Sequence, residues 1–145
     1  MAQASDEVVA FFDTYSRAVD SNELAFFETA YGETFLFAGP AGAQAVKRDD
    51  FLMALPKREG FFKAVGLTAS TIVSLEETPL DDTYSMVKAV WTMRFEKEPG
   101  HPVVDENPAT YLLRRDGGAL HIVLQLDHHD LAQRVRDLGL LPPAP

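Results

Sequence analysis

The chain has 145 residues, 46% hydrophobic and 24% charged, a mix that fits one globular domain and excludes a disordered chain. Lys and Arg number 13 against 22 Asp and Glu, so the net charge is −9; this argues against nucleic-acid binding, because phosphate recognition needs clustered positive charge. With no cysteine, the chain has no disulfide, no thiolate catalyst and no zinc-finger site.

The first half reads as helical. Ser5 is a good N-cap, and Asp6 and Glu7 place carboxylates at the positive end of the helix dipole. Val8, Phe11, Phe12, Tyr15 and Val19 then recur at three- and four-residue steps, the apolar stripe of an amphipathic helix. Ser21-Asn22 breaks it and caps a shorter helix with Leu24, Phe27 and Ala30 on one side, ended by Gly32. Glu33 to Ala38 reads as a strand, closed by the turn Gly39-Pro40-Ala41-Gly42. A third helix starts near Asp49 with Phe51, Leu52 and Leu55 on its apolar side. Pro56, lacking an N–H, should kink or end it, and Phe61, Phe62 and Val65 continue the apolar pattern to Gly66.

The second half is strand-like. In Leu67 to Glu76, alternation sets Leu67, Ala69, Thr71, Val73 and Leu75 against Thr68, Ser70, Ile72, Ser74 and Glu76. Asp81-Asp82 marks a turn. From Tyr84 to Glu96, Val87, Ala89, Trp91, Met93 and Phe95 share one face, while Lys88, Thr92, Arg94 and Glu96 share the other. Residues 98–108 read as a proline-rich connection. Ala109 to Arg115 and Leu120 to Asp127 flank Asp116-Gly117-Gly118, a strong hairpin signal. In the last strand Leu120, Ile122, Leu124 and Leu126 are expected to face the helices, and His121 and Gln125 to face outward. Asp127 is expected to cap a closing helix over His128 to Leu138, followed by a fraying tail.

No apolar run, Ile122-Val123-Leu124 included, approaches the ~20 residues of a membrane span. The acidic start, Met1 to Glu7, lacks the features of a signal peptide, so the expectation is a cytoplasmic protein with no membrane partner. Strands gathered at the end point to an α+β fold: a curved antiparallel sheet with helices packed across its concave face, enclosing a cavity. One domain is expected over 1–145, with its core at roughly 6–138 and a tail at 139–145.

The opening helix Val8–Val19, the short helix beginning Ser21-Asn22-Glu23-Leu24, the strand ending Phe37-Ala38-Gly39-Pro40 and the final hairpin resemble the nuclear transport factor 2-like superfamily. This cone-shaped α+β fold includes ketosteroid isomerase-like and SnoaL-like polyketide cyclase-like proteins. The resemblance covers roughly residues 6–130. It implies a fold more than a function, since these proteins include isomerases, dehydratases, cyclases, hydrolases and non-enzymatic binders. In the ketosteroid isomerases a first-helix tyrosine donates to the developing oxyanion, and Tyr15 matches it. Their general base lies just before the strand-end proline; here that residue is Gly39, which has no side chain. Their second acid lies near Tyr111. Losing the base speaks against steroid isomerisation. Superfamily members commonly dimerise through the outer sheet face, so a homodimer is the implied assembly, with Thr92, Arg94 and Arg114 on that face.

Tyr15, Tyr111 and Asp127 are the candidate catalytic residues. Tyr15 reads either as a pocket hydroxyl or as a core tyrosine. Phe12, Tyr15, Phe37, Trp91, Met93, Phe95, Tyr111 and Leu113 are the candidate lining of an apolar ligand cavity, or else plain core. The run Asp127-His128-His129-Asp130 has metal-like composition, but neighbours in a strand point to opposite sides, so no metal is assigned. Lys47, Arg48, Lys57, Arg58 and Lys63 read as a solvated face that could attract an anion. Two functions follow. The first is a cofactor-independent isomerase, dehydratase or cyclase acting on a small apolar carbonyl compound, which needs a titratable group in the cavity beside a tyrosine hydroxyl. The second is a non-catalytic ligand-binding or accessory domain, whose cavity holds no acid or histidine.

Overall fold

The computed structural model describes residues 4–141. Helix α1 (Asp6–Ser21) opens at Ser5, whose hydroxyl accepts from the Val8 N–H. It stops at Asn22, in the left-handed conformation, as the Ser21-Asn22 break predicts. Its buried stripe is Val8, Phe12, Tyr15 and Ala18; Val19 stands more exposed than expected, because Ala18 takes the core-facing place. In α2 (Leu24–Ala30), Phe27 and Ala30 are buried but Leu24 is exposed.

Strand β1 (Tyr31–Gly39) turns at Pro40-Ala41 into β2 (Gly42–Lys47), a strand the sequence reading leaves out. β2 sits on the sheet edge and is nearly all exposed, so it lacks the half-buried alternation by which strands are read. Helix α3 (Arg48–Ala64) runs through Pro56 without ending; Pro56 lies on its exposed side. Strands β3 (Leu67–Pro79), β4 (Tyr84–Phe95), β5 (Val103–Asp116) and β6 (Ala119–Asp127) follow, then α4 (Leu131–Asp137). β5 begins inside the expected proline-rich connection. Its Pro108 lies just beyond the paired part of β6, which begins at Ala109↔Asp127, so no ladder bond is lost on that side. Gly117 and Gly118, both at positive φ, make the tight β5–β6 turn.

The six strands form one open mixed sheet in the order β2-β1-β6-β5-β4-β3; β1 and β6 run parallel and all other pairs antiparallel. This is an α+β cone, with helices across the concave face.

Two corrections concern strand faces. In β6 the register with β5 slips between Leu112 and Leu113, leaving Val123 unopposed. Before this bulge Leu120 and Ile122 face the core. After it the alternation is reversed: Gln125 is buried, Asp127 turns inward, and Leu124 and Leu126 lie on the outer face with Leu112. In β3, slips near Thr68 and Val73 put Leu67, Ser70, Ile72, Leu75 and Glu77 on the inner side and leave Val73 exposed. The odd-numbered face of β4 is inward, as the alternation predicts.

The closing helix is capped by Asp130, which accepts from the Gln133 N–H at 3.1 Å; Asp127 instead ends β6. The first tail residues are packed. Leu140 is buried with Phe95 and Val135, and its carbonyl accepts from Lys97 at 2.6 Å. The rest of the expected tail lies outside the described residues.

Candidate functional site

Between helices and sheet lies a cavity of about 350 Å³. Its apolar lining includes Trp91, Met93, Phe27, Phe51, Leu55 and Phe62. Two small residues, Ala18 on α1 and Ala109 on β5, line the same space, where larger side chains would fill it. Of the sequence candidates, Tyr15, Trp91, Met93, Tyr111 and Asp127 line this cavity. Phe12 and Leu113 are fully buried in the main core, and Phe95 sits in a second cluster with Phe62 and Val65. Phe37 lines an adjoining open groove between the β1–β2 hairpin, α3 and the start of α4.

The polar side chains form two chains of hydrogen bonds. The first lies in the sheet floor. The Trp91 indole N–H donates to Tyr111 Oη at 3.1 Å, and the Tyr111 hydroxyl stands beside that of Tyr15. Tyr15 and Tyr31 share a hydrogen bond of 2.7 Å, and Tyr31 donates to Gln125 Oε1 at 2.6 Å. Gln125 Nε2 donates to Asp127 Oδ1 at 3.0 Å. A carboxylate oxygen only accepts, so Asp127 fixes which way the Gln125 amide faces. That amide takes the Tyr31 proton, and Tyr15 must therefore donate to Tyr31. Burial pushes the Tyr15 phenol up, opposed by its bond to Tyr31 and the positive charge of Arg58; Asp127 adds to the rise. Burial pushes Tyr31 and Tyr111 up still further. All three stay protonated: the Tyr31 proton goes to the Gln125 carbonyl and the Tyr15 proton to Tyr31, so the Tyr111 proton points to Tyr15 or into the cavity.

The second chain comes from α4. Arg134 clasps Asp105 through both Nε and Nη2, and its hydrogen bonds hold the Asp105 carboxyl below the usual carboxylate range. Asn107 Nδ2 donates to Asp105 Oδ2 at 3.2 Å. The Asn107 carbonyl then faces His129 Nδ1 at 2.9 Å. That oxygen can only accept, so His129 donates through Nδ1–H, and Nε2 is the ring nitrogen that Asn107 leaves open. His129 and Asp127 both lie on the cavity wall.

The other histidines are elsewhere. His121 Nδ1 bonds the Thr29 carbonyl at 2.7 Å, and His128 Nε2 bonds Thr110 Oγ1 at 2.8 Å. Among the described residues no group of three His, Asp or Glu is placed to hold a metal ion. No helix is long and apolar enough to cross a membrane.

Sequence reasoning missed Tyr31, Gln125 and Asn107 as site residues, and considered His129 only within the run Asp127 to Asp130, as an imidazole at a pocket rim. The bulge hides Gln125, and Asn107 lies in a segment read as a loop. Tyr31, at the start of β1, sits one residue before a glycine read as the end of a helix.

No protein-family model matches the sequence, and comparison with curated proteins finds no match. Solved structures do match. Aln2 from a Streptomyces species superposes with a TM-score of 0.71 at 17% identity, over 92% of this chain and 99% of that one. An NTF2-like protein of unknown function from Shewanella oneidensis gives a TM-score of 0.68 at 16% identity, over 85% of this chain and 97% of its own. An NTF2-like protein with a cystatin-like fold from Novosphingobium aromaticivorans gives 0.68 at 16% identity, over 95% and 88%. With a six-stranded open sheet, helices across its concave side and these structural neighbours, the chain has the NTF2-like fold.

Proposed function

We propose that the inner cavity binds a small, largely apolar carbonyl compound. On it the protein moves a proton without a cofactor, as an isomerase, dehydratase or cyclase does. The observation that carries this reading is that Asp127 and His129 line the same cavity as Trp91, Met93 and Tyr111. A binding domain needs neither an acid nor a histidine there. His129, held through Nδ1, offers Nε2 as a base, and Asp127 has one oxygen on Gln125 and no partner for the other among the described residues. Tyr111 is the tyrosine suited to hold a ligand carbonyl, because the Tyr15 proton is spent on Tyr31 and the Tyr111 proton can turn from Tyr15 to the ligand. Asp127 also stands beside Gly39 on the neighbouring strand: a Cβ added at Gly39 lies 3.6 Å from the Asp127 carbonyl oxygen. The carboxylate that the resemblance places at position 39 thus has a counterpart one strand away.

Deuterium exchange of the α-protons of 2-tetralone, followed by NMR in D2O, tests this. The expected result is exchange above the buffer rate that falls about 100-fold in Asp127→Asn or His129→Gln. Exchange no faster than buffer, with the ketone bound, favours a non-catalytic binding domain.

We also propose a two-fold homodimer through the outer sheet face. Ala45, Leu36, Leu124, Leu112 and Met86 stand side by side in register across five strands, an apolar row on a face no helix covers. Leu36 and Met86 are 37% and 41% exposed in the single chain. Light scattering is expected to give a dimer, and Leu124→Arg a monomer that still binds the same cavity ligands. A wild-type monomer at tens of micromolar rejects the assembly.

A further inference from the structure

The inner cavity and the open groove share five residues: Arg58, Phe62, Asp127, His129 and Leu131. The two spaces therefore meet at the candidate acid–base pair, and Arg58 stands at that junction. Its guanidinium lies 5.3 Å from the centre of the Phe62 ring, which holds the planar group over an apolar surface. Among the described residues no carboxylate pairs with it; the other ion-paired arginines are Arg17, Arg48, Arg94, Arg115 and Arg134. Its charge and that of Asp127 act on the Tyr15 phenol in opposite senses, Arg58 lowering it and Asp127 raising it. Of the charged residues that line the inner cavity, Arg58, Glu59 and Lys63 stand on α3, Asp20 on α1 and Asp127 on the sheet; of these only Arg58 and Asp127 also line the groove.

A bare cation at the meeting of two chambers, over an apolar floor, is a seat for an anion. A guanidinium takes a carboxylate in a two-pronged hydrogen bond, and the stretch of wall at Trp91, Met93 and Phe27 is apolar and suits a tail. Asp127 repels a carboxylate placed on the sheet side, which leaves the α3 side, where Arg58 and Lys63 stand, as the favourable one. Lys63 also lines the inner cavity but not the groove, so it does not stand at the junction.

We propose that the ligand is a small organic acid with an apolar tail, its carboxylate seated on Arg58 at the junction and its tail in the inner chamber against Trp91 and Met93. This rests on the reading of the cavity as a ligand site and names the substrate class for it. Seated so, the carboxylate stays on the α3 side of the junction, away from Asp127, and the part of the ligand beyond it passes the wall that Asp127 and His129 line.

The test uses two probes with one carbon skeleton, 4-phenylbutyrate and 4-phenylbutan-1-ol. Binding is measured by calorimetry and by the emission of Trp91, the one tryptophan in the chain. The acid is expected to bind about tenfold tighter than the alcohol. Arg58→Gln should bring the acid down to the level of the alcohol and leave the alcohol unchanged. Arg58→Lys should keep part of the preference, and Lys63→Gln all of it. Equal binding of acid and alcohol to the wild type overturns the anion seat while leaving the cavity reading intact. So does a preference that survives Arg58→Gln or is lost in Lys63→Gln. No binding of either probe at millimolar concentration overturns the cavity reading itself, and the anion seat with it. Arg58 is exposed, so its variants are expected to fold as the wild type does.

Discussion

The two ends of the sheet use the same alternation for opposite purposes. At the closed end, Val87 and Leu113 meet Val8 and Phe12 of α1 and Ile122 of β6, all fully buried with no space between them. Further along β4 and β5, the same inward-facing rows reach Trp91, Met93, Asn107 and Ala109, which border a cavity. Between them Ala89 faces Ala109 across the strand pair. That pair of small residues marks where packing gives way to space. The closed end is packed and the open end borders the candidate site, and period-two patterning alone cannot tell one from the other.

The largest expected effect tests that division. Phe12→Ala removes a fully buried ring from the closed end and should cost about 3–5 kcal/mol in urea unfolding. Met93→Ala, whose side chain borders existing space, should cost about 2 kcal/mol, near the low end for such truncations. Equal losses would mean the cavity wall is as tightly built as the core.

Acid should act on the chain at two carboxylates, one on each side of this division. Burial pushes the Glu77 carboxyl up, but hydrogen bonds from the Ser5 N–H and the Ser85 hydroxyl outweigh it, and the net value lies below the ordinary 4.5. Asp105, clasped by Arg134, lies below its ordinary 3.8. Groups depressed in the folded chain contribute fully above their unfolded values, and that stability is lost as the pH falls through the lower folded values. Unfolding midpoints should therefore hold above about pH 4.5 and drop below it. Asp105→Asn should flatten part of that acid limb and cost about 1–3 kcal/mol at pH 7. It should also slow the exchange of 2-tetralone, because Asn107, which holds His129, loses its carboxylate partner; Glu77→Gln should alter stability alone.

How much of this the sequence discloses depends on whether a residue's neighbours lie near it in the chain. The Ser5 cap, the Asn22 break, the alternating face of β4 and the Gly117-Gly118 turn are set by adjacent residues, and all are legible. Tyr15, Tyr111 and Asp127 stand out by residue type. What joins them is not local. Tyr31 meets Gln125 across 94 positions, and Arg134 meets Asp105 across 29. Gln125 in particular reads as outward until Val123 is known to be the extra residue in β6. A bulge costs the sequence pattern one step, and every side chain beyond it changes face.

The bulge in β3 allows the smallest and most selective test of that account. Continuous alternation from Leu67 puts Val73 on the same face as Leu67 and Leu75, whereas the slip between Ile72 and Ser74 leaves it 58% exposed. If Val73 is the extra residue, Val73→Ser removes little buried surface and should change stability by about 0.5 kcal/mol or less. Leu75→Ser, one step past the slip on the inner side, should cost several times more, since it loses packing against the main core and leaves a hydroxyl in apolar surroundings. A large loss at Val73 would restore unbroken alternation in β3, and Ser70 and Ile72 would then have to leave the face they share with Met93 and Trp91. Because Ser70 lines the cavity, the ratio of these two losses measures whether β3 reaches the site in the register that builds its wall.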